Sequence, residues 1–408
     1  MRASFSIALP ALAAVLIAAS GFAAEKIAPK TLEFLQDTTI SGHLQSSYQH
    51  TFEAHDSPGQ AGARQLNNTG DGFSLNQAKV RLEHPLDDNE FAAGYRVDFL
   101  AGQDAERIHS YGLFSSNANE LSRRQGTGSN GAIDLEQAYV TFRLPVGAGL
   151  DVKFGKFVSL AGAETLDAPG NWFFSRSYIF GFGEPFTLTG ALLSYQWNDV
   201  LNTQFGVVNG WDAVQDNNSS KTVVGRANVT LFEGKLKNAV TVIGGPEQTG
   251  NNVNYRWIVD DVLTWQPPME NLLLTLNGLY GSEDGMVDST GVYHTGNVAW
   301  WGALASARYQ WTPFVSMALR YEYFSDPDSA RTDGAGGIGP VPLSPMVQGV
   351  NYQAVTWSVW LERLMPNLTP RVEVRWDRAN NPVFQAQPSG SDGTRTQVSV
   401  SFDMVYVF

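Results

Sequence analysis

From Ile40 to the last residue, hydrophobic and polar positions alternate with a period of two in segment after segment. The final stretch shows the pattern: Val398, Val400, Phe402, Met404, Tyr406 and Phe408 share one face of an extended strand, and Ser399, Ser401 and Asp403 lie on the other. Successive side chains of a strand point to opposite faces, so this is one apolar face and one mostly polar face. The same rhythm appears in Ile40–His50, in Phe73–Glu83 with a slip of phase near Leu75, and in Phe91–Phe99. It recurs through Ala138–Leu144, Leu150–Phe154, Ala191–Trp197, Thr203–Val207, Val223–Leu231, Leu272–Tyr280, Ala299–Trp311, Val315–Tyr323, Val355–Leu361 and Val372–Trp376. Leu236–Ile243 and Tyr255–Trp265 read as strands of uncertain phase. The total is about sixteen strands.

Short turns such as Pro145–Gly149 and Thr312-Pro313 alternate with long Gly-, Asn- or Pro-rich stretches such as Gly102–Gly131, Phe157–Thr187, Gly281–Asn297 and Asp326–Gly349. This alternation of connections predicts an all-β fold: a transmembrane up-and-down antiparallel barrel with long extracellular loops and short periplasmic turns. A soluble multi-sandwich protein has no reason to keep it over so many hairpins. Aromatic residues concentrate at predicted strand ends, with Trp197, Trp265 and Trp311 toward the short turns and Tyr48, Phe99, Tyr280, Tyr323 and Trp376 toward the long loops. That placement fits two interfacial belts. The apolar strand ending on Phe408, with Tyr406 two residues before it, also resembles the C-terminal assembly signal of bacterial outer-membrane barrels. It implies two partners, the barrel-assembly machinery and outer-membrane lipid.

The N-terminus is different. Arg2, an apolar run from Ile7 to Ile17 and small residues up to Ala23 have the layout of a secretory signal peptide. The run falls short of the ~20 residues of a spanning helix. The expected organisation is a signal peptide over 1–23, a periplasmic leader over 24–38 and a barrel over 39–408. Hydrophobic content of 43% and mean hydropathy of −0.18 suit such a barrel, in which polar lumen residues offset lipid-facing ones. The net charge of −13, or −14 without Arg2, argues against a nucleic-acid partner. With no cysteine, disulfides and thiolate chemistry are excluded.

Charges in phase with the inner face define a candidate pore wall: Lys79, Lys153, Arg226, Arg308, Arg320, Glu322, Arg371, Glu373 and Arg375. The insertion over 157–188 is the most unusual segment. It is rich in aromatic residues and carries Glu164, Asp167, Arg176 and Glu184, an odd composition for a solvated loop. The expectation is a constriction in which Glu164, Asp167 and Glu184 face Arg81, Arg96 and Arg143, so that opposed charges filter solutes by size and charge. A packed external lid is the alternative. The six histidines, His43, His50, His55, His84, His109 and His294, sit beside no recognisable nucleophile, and no metal-ligand spacing occurs. An outer-membrane hydrolase is therefore disfavoured, and no cofactor is expected. A surface adhesin or receptor carried on the long loops is compatible with a pore.

Several runs carry a family resemblance: Gly155-Lys156-Phe157, Glu164-Thr165, Phe174-Ser175-Arg176-Ser177-Tyr178, Pro185-Phe186-Thr187, Val208-Asn209-Gly210-Trp211-Asp212 and Glu136-Gln137-Ala138-Tyr139-Val140. In these the chain resembles the putative β-barrel porin-2 family of Gram-negative outer-membrane proteins, over nearly all of its mature length. The resemblance implies passive diffusion of small hydrophilic solutes or ions, location in the outer membrane, and the trimeric assembly common among porins of this strand number.

Overall fold

The computed structural model describes residues 37–52, 64–67, 70–87, 91–114, 131–287, 293–328, 330–332, 349–362, 365–384 and 394–408. The expected signal peptide and nearly all of the expected leader fall outside these. Sixteen antiparallel strands close into a barrel in which each strand pairs with its sequence neighbours and β1 pairs with β16. They are β1 (Thr39–Thr51), β2 (Asp71–His84), β3 (Ala93–Ala101), β4 (Ile133–Leu144), β5 (Leu150–Val158), β6 (Thr187–Gln196), β7 (Leu201–Val208) and β8 (Thr222–Leu231). The second half is β9 (Leu236–Pro246), β10 (Tyr255–Trp265), β11 (Leu272–Val287), β12 (Tyr293–Thr312), β13 (Val315–Asp326), β14 (Val350–Leu361), β15 (Leu368–Ala379) and β16 (Thr396–Val407). The seam pairs His43 with Val407 and Thr51 with Ser399. Gly42 and Phe408 extend it by exchanging both backbone hydrogen bonds at 3.0 Å.

Closure leaves no free strand edge, and the two faces divide as the pleat requires. Leu44, Phe154, Leu276, Leu319 and Phe402 stand exposed on the outside, while Gln45, Lys79, Arg320, Glu373 and Ser401 are buried within. An exposed Phe154 at 61% would be an anomaly in water and is ordinary against acyl chains.

Three features differ from the sequence reading. The stretch expected as a loop over Gly281–Asn297 is instead a continued hairpin, since β11 and β12 stay paired from Ser282↔Ala299 to Val287↔Tyr293 across an irregularity at Asp284/Met286. Asp377, one residue past the expected strand end at Trp376, sits within β15 opposite Ala354 and Gln397. The alternation of long and short connections is also looser than expected, because 247–254 is no longer than the turn 85–92. The uncertain phase of β9 and β10 has a physical cause. Val240 and Val242 face outward while Ile243 and Ile258 are fully buried inside, so both faces are apolar and alternation is lost.

Candidate functional site

Residues 159–186, between β5 and β6, are held to the inner wall by bonds that replace a sheet ladder. The segment has little regular structure beyond a short 3₁₀ turn at Ala168–Gly170 and a π-helical turn at Ile179–Gly183, so its backbone groups need other partners. Inward carboxylates accept from its amides. Glu373 of β15 takes Phe174 N at 2.8 Å and Ser175 N at 3.2 Å, Glu322 of β13 takes Tyr178 N at 2.6 Å, and Asp260 of β10 takes Gly162 N at 2.9 Å. Inward cations and indoles donate to its carbonyls: Arg371 to Asn171, Arg320 to Ser175, Arg375 to Arg176, Trp360 to Trp172 and Trp300 to Gly183. Hydrogen bonds to charged groups contribute ~1.5–3 kcal/mol each, so the set anchors the segment strongly.

Apolar packing reinforces one side. Tyr178, Ile179 and Phe182 join Ile258, Leu279, Trp300, Phe324 and Tyr352 in a buried cluster, with the Tyr178 and Tyr352 rings stacked at 4.4 Å. The inner wall around β6 to β15 is thus apolar at this depth and covered by the insertion. A second cluster unites Leu166, Phe180 and Phe186 with Leu66, Leu100, Ala105 and Ile108, which come from β3 and from the connections after β1 and β3.

On the β1–β5 side the insertion meets the wall through charge. Lys79 of β2 contacts Asp98 of β3 at 2.8 Å, Glu136 of β4 at 2.8 Å, and Asp167 of the insertion. Arg81 reaches Asp167 at 2.9 Å, and Arg96 reaches Asp98 at 2.7 Å. A register irregularity between Asp98 and Phe99 lets consecutive residues of β4 join this network, Glu136 through Lys79 and Gln137 through Asp98 at 3.0 Å. Gln77 ties three elements together. Its amide donates to Asp104 at 2.7 Å and to the carbonyl of Leu166 at 2.8 Å, and its oxygen accepts from Ala168 N at 3.0 Å and lies 2.7 Å from the His43 ring.

Beside this network lies a cavity of about 570 Å³, lined by His43, Lys79, Arg81, Arg96, Glu136, Tyr139, Lys153, Glu164, Asp167 and Glu184 among others. A second, of about 510 Å³, is lined by Asn171, Arg308, Trp360, Glu362 and Arg371. Both touch Pro169 of the insertion and Val407 of β16.

Not all the residues expected to face one another across the lumen come together. Asp167 and Arg81 do. Glu164 instead pairs with Arg320 at 2.6 Å and accepts from Ser177 N at 2.7 Å. Arg96 turns to Asp98, and Arg143 pairs with Asp151 at 2.6 Å near the short-turn end, so neither reaches an insertion carboxylate. Arg176 is buried and clamps the insertion's own carbonyls at Thr165, Leu166 and Phe174. Glu184 is buried at the cavity edge beside Gly162. Of the expected wall residues, Arg320, Glu322, Arg371, Glu373 and Arg375 lie under the insertion rather than facing open water. Buried amides and carbonyls without a ladder draw charged partners, and these residues supply them. Arg226 bonds Asn228 at 2.8 Å and the Leu160 carbonyl, Arg308 pairs with Glu362, and Lys153 lies over the Tyr139 ring. The sequence reading assigns no site role to Asp260, Asp377, Gln77 or Trp300. Their inward phase was the available signal, hidden in β10 by the double apolar face and in β15 by a strand end set too early. Among the described residues, no group of three His, Asp or Glu side chains is placed to hold a metal ion.

Comparison with known proteins agrees with this architecture. The chain superposes on the outer membrane channel DcaP of Acinetobacter baumannii with a TM-score of 0.56 at 11% identity, covering 91% of this chain and 97% of that one. For OprB of Pseudomonas putida the TM-score is 0.55 at 10% identity, with 93% and 96% covered. For an anion-selective porin from Comamonas acidovorans it is 0.54 at 11% identity, with 91% and 99% covered. At such identities the likeness establishes the fold. No curated protein matches the chain. The family model described as putative beta-barrel porin-2, OmpL-like matches residues 37–408, which include the whole barrel. By that match the chain belongs to the putative beta-barrel porin-2, OmpL-like family, and it is a porin of the Gram-negative outer membrane.

Proposed function

We propose that small hydrophilic solutes and ions diffuse passively along the β1–β5 side of the lumen, between that wall and the insertion 159–186. The observation that carries this reading is the asymmetry of the interior. The insertion packs aromatic side chains onto the β6–β15 side, where the 510 Å³ cavity has only Arg308, Glu362 and Arg371 as charged lining. The 570 Å³ cavity against β1–β5 is instead edged by Lys79, Arg81, Arg96 and Lys153 and by Glu136, Glu164, Asp167 and Glu184. Lys79, Arg81 and Asp167 form the narrowest charged passage in this scheme, with Arg96, Glu136, Glu164 and Glu184 around it. A field between fixed charges in a narrow passage favours solutes by sign and dipole.

The short-turn end faces the periplasm, residues 1–23 direct export, and Tyr406 and Phe408 present the assembly signal. The barrel has no catalytic activity of its own and assembles as a homotrimer in outer-membrane lipid. A trimer form is named for OmpT of Vibrio cholerae, which shares this fold. Planar-bilayer recording of the purified full chain tests the path. Asp167→Asn is expected to shift the reversal potential in a salt gradient toward the anion side, and Arg81→Gln toward the cation side. Unchanged selectivity in both variants would place the path elsewhere.

A further inference from the structure

The cations lining the two cavities are almost all neutralised by the protein itself. Lys79, Arg81 and Arg96 share Asp98 and Asp167, Arg308 pairs with Glu362, and Arg371 pairs with Asp403 at 2.6 Å. Lys153 of β5 differs. Among the described residues lining these cavities it is the cation with no carboxylate within salt-bridge distance. Its ammonium instead sits 4.5 Å from the centre of the Tyr139 ring and 5.6 Å from that of Phe157. A half-buried ammonium held on ring faces is only partly compensated, because a cation–π contact is weaker than an ion pair and makes no use of its hydrogen-bond donors.

The strand register sets what stands beside it. Arg96 is paired with Tyr139 across β3 and β4, and Thr141 with Lys153 across β4 and β5, so Arg96 and Lys153 approach Tyr139 from the two neighbouring strands. Gly155 is the position opposite Tyr139 on β5, and a Cβ there would stand 2.7 Å from the Tyr139 Cα. The ring therefore depends on a missing side chain for its place. All three groups line the same cavity, together with apolar Val158, Leu166 and Phe186.

We propose that Lys153, with Arg96 and Tyr139 beside it, forms a binding subsite for the carboxylate of a small organic anion, whose apolar part lies toward Val158 and Phe186. The subsite rests on the reading of the β1–β5 side as the solute path. It adds a ligand class and a residue that holds it: a carboxylate completes the donors of Lys153 and neutralises the one lining charge that the wall leaves over.

Benzoate is the probe and benzamide its neutral counterpart, each titrated into the detergent-solubilised full chain by calorimetry and into bilayer recordings. Wild type is expected to bind benzoate and to show concentration-dependent current block, with no response to benzamide. Lys153→Met is expected to weaken both effects about tenfold, the consequence of losing one charge-assisted contact, and Lys153→Arg to retain them. Lys153→Gln serves if the Met variant does not fold, judged by its heat-dependent gel shift. Equal benzoate affinity in wild type and Lys153→Met, or equal response to benzamide, would overturn the subsite. Absence of current through wild type would instead overturn the path, while calorimetry would still decide the subsite.

Discussion

A few single side chains hold together parts of this barrel that are distant in sequence. Gln77 is one of them, since its amide joins β1, the insertion and the connection after β3 through four contacts of 2.7–3.0 Å. Replacing it by Leu keeps the volume but strands Asp104, Ala168 N and the Leu166 carbonyl without their partner, at ~1–3 kcal/mol for each buried group left unmade. Gln77→Leu is therefore expected to lower the thermal unfolding midpoint measurably, and an unchanged midpoint would show that these bonds are replaced by water. Asp377 plays a like part on the far side, accepting from Arg64, from Arg375 at 2.7 Å and from the Tyr178 hydroxyl at 2.8 Å. The charged residues that read as pore wall from their phase alone are here divided by role. Some line the cavity, and others are consumed in holding the insertion.

At the scale of elements, the insertion stays in place through carboxylates that face its backbone. Glu373→Gln together with Glu322→Gln removes the charge from three of those amide bonds. The double variant is expected to raise single-channel conductance and its noise, because the segment is then less firmly held to the β13–β15 wall; conductance and noise equal to wild type would count against this anchoring. The connection after β3 has its own sensitivity to pH. Asp104 is wholly buried beside the short helical turn Ala105–Arg107, and burial pushes its carboxyl up to about 6, against the lowering pull of Arg176 and the Gln77 amide. A carboxyl raised on docking favours the docked arrangement in its protonated form. The contribution is thus fully present below the ordinary carboxylate range and is lost as pH rises to about 6. Protease nicking within 102–114 is expected to increase from pH 5 to pH 7.5 in wild type, relative to Asp104→Asn measured at the same pH. A constant ratio between the two would remove the effect.

At the scale of the whole molecule, stability depends on the seam. β1 and β16 are the first and last strands, and the barrel closes only when they meet. Gly42 stands where this meeting is tightest: a Cβ there would lie 2.1 Å from the Lys79 carbonyl oxygen and 2.7 Å from the Phe408 ring. Gly42→Val is expected to abolish the heat-dependent gel shift of the closed barrel, because the Phe408 ring can swing aside but the backbone of β2 cannot give way by that much. A normal shift would mean that the seam tolerates displacement. Closure also explains how an outer surface as apolar as this one is tolerated, since it gives each strand a hydrogen-bonding neighbour on both sides.

The sequence by itself determined the class of fold, the number of strands and the face on which most residues stand. Those properties follow from a period of two repeated along the chain, and a local period survives whatever the distant contacts are. It also marked 157–188 as abnormal, since aromatic residues and acids in one loop contradict a solvated role. What it could not supply was the pairing of charges. Arg320 rather than Arg81 meets Glu164, and Glu373 meets backbone amides rather than a cation, because such partners are 156 and about 200 residues apart and are chosen by where the insertion settles across the lumen. The apolar inner arc was likewise decided by tertiary structure. An inward Ile or Phe reads as an error of phase until a second layer is present to cover it.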